Sequence, residues 1–177
     1  LVRYGEYLTC KRSRPIGESI VSTAKNILRQ SVEMGHMVTK AYVEDLTDAD
    51  LLVRSVPRSN HIAWQLGHMI GATRGMLAAL GHEPPALPEG FDAAYTRETA
   101  DSDAPATFAT KLEYFVLMDR MKAASLAAID ATPEADRDLP GPESMRGYAP
   151  TVGAVLMLRG SHWLMHAGQF VPIRRKL

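Results

Sequence analysis

The chain has 177 residues, of which 46% are hydrophobic and 23% charged, and its 20 basic residues balance its 20 acidic ones. That balance gives no indication of a nucleic-acid-binding surface or a polybasic membrane patch. No apolar run approaches the roughly 18 residues of a membrane span, no signal peptide is visible, and the single cysteine, Cys10, cannot form an internal disulfide. We therefore expect one cytoplasmic domain over residues 1–177 that binds neither nucleic acid nor membranes.

Four segments have the apolar periodicity of α-helices, and none alternates like a β-strand. The first predicted helix runs from Ile20 to Leu46, with an apolar stripe formed by Ile20, Ala24, Ile27, Met34, Val38 and Ala41. The second begins at Ser59 and Asn60, which are good N-cap residues, and runs to Leu80, where Gly81 ends it. Its stripe comprises Ile62, Leu66, Met69, Ile70, Thr73, Leu77 and Leu80.

A long loop, residues 81–104, separates the second predicted helix from the third. Antiparallel neighbours in a bundle need only about 2–8 linking residues, so this loop predicts a crossover between helices that run parallel. The third helix covers about Pro105 to Asp130, and its buried side is marked by Phe108, Leu112, Phe115, Leu126 and Ile129. Thr151 caps the fourth helix, which Pro172 kinks or ends. These elements predict an all-α four-helix bundle.

The candidate site starts from two histidines on the fourth predicted helix, His162 and His166. A spacing of four residues puts both imidazoles on one helix face, and the turn count places that face on the inner side of the helix. Two imidazoles in this arrangement can share one metal ion. A third ligand must come from elsewhere, and the second helix offers His68 and His61 on nearly the same face.

Other interpretations of these histidines remain open at this point. His61 lies at the start of its helix, where a solvated or capping role is natural; as a fourth ligand it would close the site and make it structural. A carboxylate-rich dinuclear site is disfavoured, because Glu33–His36 is the only Glu-x-x-His unit in the chain. In a further alternative, the histidines serve packing alone and no metal binds.

The segment Asn60–His68, with the motif Trp64-x-x-Gly67-His68, is followed by Thr151–Ala154 and by His162-x-x-x-His166-Ala167-Gly168-Gln169. Over nearly the whole chain this pattern resembles the DinB-like superfamily. The resemblance implies a four-helix bundle with up-down-down-up connectivity, and one divalent metal bound by His68, His162 and His166. That family includes thiol S-transferases that use low-molecular-weight thiols, a mycothiol-dependent maleylpyruvate isomerase and proposed hydrolases, and its members are often dimers.

From the residues and this resemblance, we expect a mononuclear metal-dependent enzyme of the hydrolase or thiol S-transferase type. An open coordination position would activate water or a low-molecular-weight thiol for attack on a small-molecule substrate. The expected metal is zinc or nickel, with iron as a further choice, because imidazole ligands suit all three. The alternative is a non-catalytic, stress-associated binding bundle whose metal is structural or vestigial. We also expect a homodimer.

Three side chains are candidates for orienting a ligand or a substrate. Gln65 and Gln169 each lie near a candidate ligand in the sequence, although core packing explains them equally well. Tyr148, together with Arg146, lies in the loop before the fourth helix and could reach an open metal position. No carboxylate stands out as a general base.

Overall fold

The computed structural model describes residues 23–177, which form α-helices joined by loops and short 3-10 turns. The helices are α1 (Ala24–Ala41), α2 (Ile62–Ala79), α3 (Phe91–Ala94), α4 (Lys111–Ala131) and α5 (Val152–Arg174). Helix α3 is a single turn in the long loop, and no β-strand occurs in the described part of the chain. The predicted all-α fold is confirmed. The predicted helix start at Ile20 and the residue Cys10 lie outside the described residues.

Two ion pairs show the direction of α1 relative to α4 and α5. Lys25, near the start of α1, pairs with Asp130 at the end of α4, with 2.9 Å between nitrogen and oxygen. The two helices are therefore antiparallel. Arg174, at the end of α5, binds Asp45 just beyond the end of α1 at 2.7 Å. Helices α1 and α5 therefore run parallel.

Contacts between α2 and α5 complete the connectivity. Gln65 in the first turn of α2 bonds to His166 late in α5, whereas Met76 near the end of α2 packs against Val155 near the start of α5. Helix α2 is thus antiparallel to α5 and parallel to α4. The up-down-down-up order and the long crossover predicted from loop length are both confirmed.

The predicted apolar stripe of α2 is confirmed, and all its members except Leu80 are buried. The predicted N-cap is wrong, because the side chain of His61, rather than Ser59 or Asn60, caps the helix by accepting the backbone N–H of Trp64. The predicted stop at Gly81 is confirmed. Gly81 has φ +80°, and the next residue, His82, donates its backbone N–H to Leu77 at 3.0 Å, as in a Schellman motif.

The buried face of α1 differs from the predicted stripe. Ile27 and Met34 of that stripe are 48% and 51% exposed, whereas the buried residues are Leu28, Val32, Gly35 and Thr39. The cause is a close approach to α5, since a Cβ added to Gly35 would lie 2.7 Å from the carbonyl oxygen of Gly160. Small residues define this contact, and apolar periodicity alone therefore selected the wrong face.

Helix α4 begins at Lys111 rather than near Pro105, because Thr110 and Glu113 form a capping box there. The Glu113 carboxylate accepts the backbone N–H of Thr110 at 2.7 Å. Leu112, predicted to be buried, is 72% exposed. At the same end of the bundle, Pro172 does not end α5, which continues to Arg174. None of the helices in residues 23–177 has the length and apolar character that a bilayer crossing requires.

Candidate metal centre

Three histidines from two helices meet inside the bundle. His68 comes from α2, and His162 and His166 come from α5. One ring nitrogen from each lies within 4.8 Å of the others, and the Nε2 atoms of His162 and His166 are 3.1 Å apart. The antiparallel packing of α2 and α5 brings the three histidines together. Within the described residues, no carboxylate or cysteine belongs to this group. The three predicted ligands are therefore brought together.

The ring of His68 is held by a tryptophan one helical turn earlier. Trp64 stacks on His68 with ring centroids 5.2 Å apart and planes 5° from parallel. The indole N–H of Trp64 in turn donates to the carbonyl of Thr96 in the crossover loop at 3.1 Å. Sequence reasoning did not assign this role to Trp64, although its spacing of four residues from His68 was a usable signal.

Gln65 fixes the tautomer of His166. Its side-chain amide nitrogen donates to the carbonyl of Asn60 at 2.8 Å, which leaves its oxygen facing His166 Nδ1 at 2.9 Å. Since that oxygen can only accept, Nδ1 carries the proton and Nε2 presents a lone pair to the histidine group. Metal-bound histidines commonly have such a partner on the other ring nitrogen.

The environment keeps the imidazoles neutral. Burial, assisted by the neighbouring His162 and His68, lowers the pKa of His166 to about 3. Burial, with His68 and Arg159, lowers the pKa of His162 to about 4, and burial also lowers the pKa of His68. All three rings are therefore unprotonated near pH 7, the form in which imidazole binds a metal.

The arrangement fits a divalent metal ion. Two ligands at 2.0–2.1 Å from a tetrahedral zinc are about 3.3 Å apart, close to the observed 3.1 Å between the Nε2 atoms of His162 and His166. Nδ1 of His162 is buried and makes no hydrogen bond within residues 23–177. A set of three neutral imidazoles suits zinc, nickel or iron. The histidine group could hold such an ion.

His61 does not belong to this group. Its side chain is fully buried, its Nδ1 accepts the backbone N–H of Trp64 at 3.0 Å, and its Nε2 donates to the carbonyl of Ser102 at 3.1 Å. Both ring nitrogens are therefore used, and no lone pair is left for a metal. The capping role considered for His61 is confirmed, and the structure excludes its use as a fourth ligand in this conformation.

The structure does not bring the other predicted candidates to the histidines. Gln169 points to solvent on the outer face of α5. Tyr148 is 66% exposed in the loop before α5, whereas His162 lies ten residues into that helix, a rise of about 15 Å. Arg146 is also exposed and donates to the carbonyl of Gly141 at 2.8 Å. Of the proposed orienting residues, Gln65 alone contacts a histidine of the group.

A cleft of about 510 Å³ opens beside His68. Residues from the start of α2 and from the crossover loop line it: Arg58, Asn60, Trp64, His68, Tyr95, Arg97, Ala100 and Asp101. Sequence reasoning did not find its loop residues, because no motif or periodicity marks them. Arg58 has φ +64°, a backbone conformation that is uncommon for residues other than glycine, and its side chain pairs with Asp101 at 3.2 Å.

The fold and the site together define a helical bundle that could hold a metal ion through three histidines. The sequence matches the family model of the DinB superfamily over residues 32–170. This match spans more than half of the chain, and the chain belongs to the DinB superfamily. The family expected from the sequence motifs is confirmed.

Comparison with individual proteins adds the fold alone. A search of curated proteins gives no match. Among solved structures, the chain is similar to a conserved protein from Enterococcus faecalis, with a TM-score of 0.66 and 16% sequence identity. The alignment covers 88% of this chain and 97% of that one.

Proposed function

We propose that this protein is a mononuclear metal-dependent enzyme of the hydrolase or thiol S-transferase type. The observation that supports the proposal is the number of available ligands. Three neutral imidazoles converge within 4.8 Å, and both ring nitrogens of His61, the histidine considered as a fourth ligand, are used in hydrogen bonds. Structural zinc sites normally have four protein ligands, whereas catalytic sites have three and an open position.

A divalent ion held by three neutral ligands would keep its full charge and supply a Lewis acid that lowers the pKa of a coordinated water or thiol. The protein's own residues prepare the site for such an ion. Gln65 orients His166, Trp64 orients His68, and burial keeps the rings unprotonated. We propose zinc or nickel as the ion, with iron as a further choice, because imidazole ligands suit each of them.

The cleft beside His68 supports a small molecule as the substrate. Its volume of about 510 Å³ lies within the usual range for small-molecule sites, roughly 300–1,000 Å³. Trp64 and Tyr95 provide flat apolar surface, and Arg97 and Asn60 provide hydrogen-bond donors. In this proposal the reacting group of the substrate approaches the site from the side of His68.

Cobalt(II) substitution tests the open position. Cobalt-loaded protein is titrated with a low-molecular-weight thiol and, separately, with azide, while the visible absorption spectrum is recorded. A new thiolate-to-cobalt band, or a change in the ligand-field bands with azide, is the expected result. A spectrum that neither ligand changes would contradict the proposal, because it would indicate a closed site. His68→Ala, which removes one ligand, is the control for non-specifically bound cobalt.

Turnover separates the two reaction types. The metal-loaded protein is assayed with electrophilic substrates in the presence and absence of a low-molecular-weight thiol, and with ester and amide substrates in water alone. Thiol-dependent product identifies a transferase, and thiol-independent cleavage identifies a hydrolase. In either case the activity is expected to disappear in His166→Ala. If the metal binds with an open position but no substrate of either class turns over, the catalytic assignment is wrong and the non-catalytic alternative holds.

A further inference from the structure

A second unusual group lies deeper in the bundle, on α5 one turn before the histidines. Arg159 is 3% exposed. One of its terminal nitrogens, Nη2, donates to the hydroxyl of Ser125 on α4. Its Nε and Nη1 atoms are buried and make no hydrogen bond to another group in residues 23–177. A guanidinium with two unpaired donors in a protein interior is expensive, and native structures rarely keep one without a partner.

Arg159 lines a small, partly open cavity in the bundle. The polar side chains around this cavity are His36, Thr73, Lys122, Ser125, Arg159 and Trp163. None of the residues that line the cavity carries a carboxylate. The nearby carboxylate of Asp119 is directed at His36 Nε2, 2.8 Å away. The cavity wall therefore carries the positive charges of Arg159 and Lys122 without a negative charge of its own.

Arg159 remains charged in this setting. Burial lowers its pKa to about 10, and no acidic neighbour offsets the effect. At neutral pH the interior of the bundle therefore contains a positive charge that no acidic group of residues 23–177 balances. A buried ion that lacks a counter-charge destabilises a fold, so a ligand that supplies the counter-charge binds favourably.

We propose that this cavity binds one monoatomic anion, such as chloride, on the guanidinium of Arg159. The cavity volume is about 10 Å³, enough for one particle near the size of a water molecule. A carboxylate or a phosphate, with three or more heavy atoms, does not fit without rearrangement. A water molecule fits but carries no charge, and it would leave the guanidinium uncompensated. Lys122 also lines this cavity, and its positive charge favours an anion. The hydroxyl of Ser125 takes no part, because it donates its proton to the carbonyl of Met121 and accepts from Arg159.

This site is distinct from the histidine group, and its existence does not depend on the proposed enzymatic function. The first test is thermal unfolding of the whole protein at constant ionic strength, with methanesulfonate replaced stepwise by chloride or bromide. The melting temperature of the wild type is expected to rise in a saturable manner. The expected rise is about 5 °C or more when the halide exceeds its dissociation constant a hundredfold.

Two variants show where the anion binds. Arg159→Met is expected to lose the dependence on halide and to be at least as stable as the wild type in methanesulfonate, because it removes an unpaired buried charge. Arg120→Met is the matched control, since Arg120 lies exposed on α4, and it should keep the full response. A response that persists in Arg159→Met would place the halide elsewhere, for example on the metal, and would overturn the proposal.

Bromide diffraction gives a readout that does not depend on any variant. Crystals of the wild type grown in bromide are expected to show an anomalous peak in the cavity, within hydrogen-bond distance of the Arg159 guanidinium. A cavity without anomalous signal, filled by water alone, would contradict the proposal even if the variants proved too unstable to study.

Discussion

Gln65 shows how one side chain can decide whether a histidine is ready to bind a metal. Its amide nitrogen is tied to the backbone of Asn60, so its oxygen is the atom left to meet His166. The sequence placed Gln65 near a candidate ligand but could not separate this role from packing, since a glutamine in a buried helix serves both. The choice depends on α5 lying opposite α2, which is a tertiary contact.

Replacing Gln65 by Leu should weaken metal binding without removing a ligand. We expect a loss of roughly 10- to 100-fold in zinc affinity, the usual effect of losing the partner of a metal-bound histidine. Gln169→Leu is the matched control, because Gln169 is an exposed glutamine on α5 three residues beyond His166. Competition with a chromogenic chelator measures both variants. Equal affinities for Gln65→Leu and the wild type would show that the bond does not support the site.

His61 makes stability depend on pH. Burial lowers its pKa below the ordinary 6.5, and protonation would place a proton on the Nδ1 atom that accepts the Trp64 N–H. The unfolded chain therefore binds this proton more readily than the folded chain. As a result, the free energy of unfolding keeps its full value above pH 6.5 and decreases as the pH falls below 6.5. Each such group contributes at most about 1.4 kcal/mol per pH unit.

The variant His61→Asn should reduce this dependence, since asparagine caps a helix and does not titrate. We expect the free energy of unfolding to fall less steeply between pH 6.5 and pH 5 in His61→Asn than in the metal-free wild type. Urea unfolding at several pH values measures the two slopes. Identical slopes would mean that His61 is not protonated more easily in the unfolded chain.

At the scale of elements, the contact between α1 and α5 depends on glycine. Gly160 faces the backbone of Ser31, and an added Cβ would collide with the Ser31 carbonyl group. On the same helix, Gly168 has no heavy atom within 4 Å of an added Cβ. We therefore expect replacement by alanine to change the stability of the protein in opposite directions at these two glycines.

Gly160→Ala should destabilise the protein by about 1–3 kcal/mol, because α1 must move away from α5. Gly168→Ala should stabilise it by about 0.5–1 kcal/mol, the gain in helix propensity. Urea denaturation of both variants measures the difference. If Gly160→Ala were as stable as the wild type, the inference that α1 and α5 approach too closely for a side chain at this position would be wrong.

The elements also show what the sequence could predict. The stripe of α2 was correct because its large apolar residues are the ones that pack. The stripe of α1 was wrong because its buried face includes Gly35 and Thr39, which carry little apolar signal. The start of α4 was wrong because the capping box at Thr110 outweighs the apolar residues before it. Arg159 was missed, although a charged residue in the buried series Val155, Leu156, Trp163 was a visible anomaly.

At the scale of the molecule, the connectivity of the helices could be predicted from the length of the crossover loop, and the family from the histidine motifs. Both signals lie in short, continuous stretches of the sequence. The cleft beside His68 did not follow, because its wall is formed by a loop without regular structure. The pairing of charged side chains inside the bundle could not be predicted either, since it depends on which helices face each other. The three-histidine group was predictable because two of its members are spaced by one helical turn.

A homodimer remains a proposal at this scale, and the solvent side of α1 is where we place it. Ile27, Met34 and Met37 are each about half exposed there. We expect a dimer by light scattering at micromolar concentration, and a shift toward monomer in Met34→Glu, since a buried unpaired carboxylate opposes association. A wild type that is monomeric at the highest concentration reached would contradict this proposal.

Metal content is the most direct test of the account. Tag-free protein, dialysed without chelator, is analysed for bound elements together with His68→Ala and His166→Ala. The account predicts about one divalent ion per chain in the wild type and none in the two variants. A wild type that stays free of metal after incubation with zinc or nickel would contradict the central claim. The chain would then keep the DinB fold without a metal-dependent function.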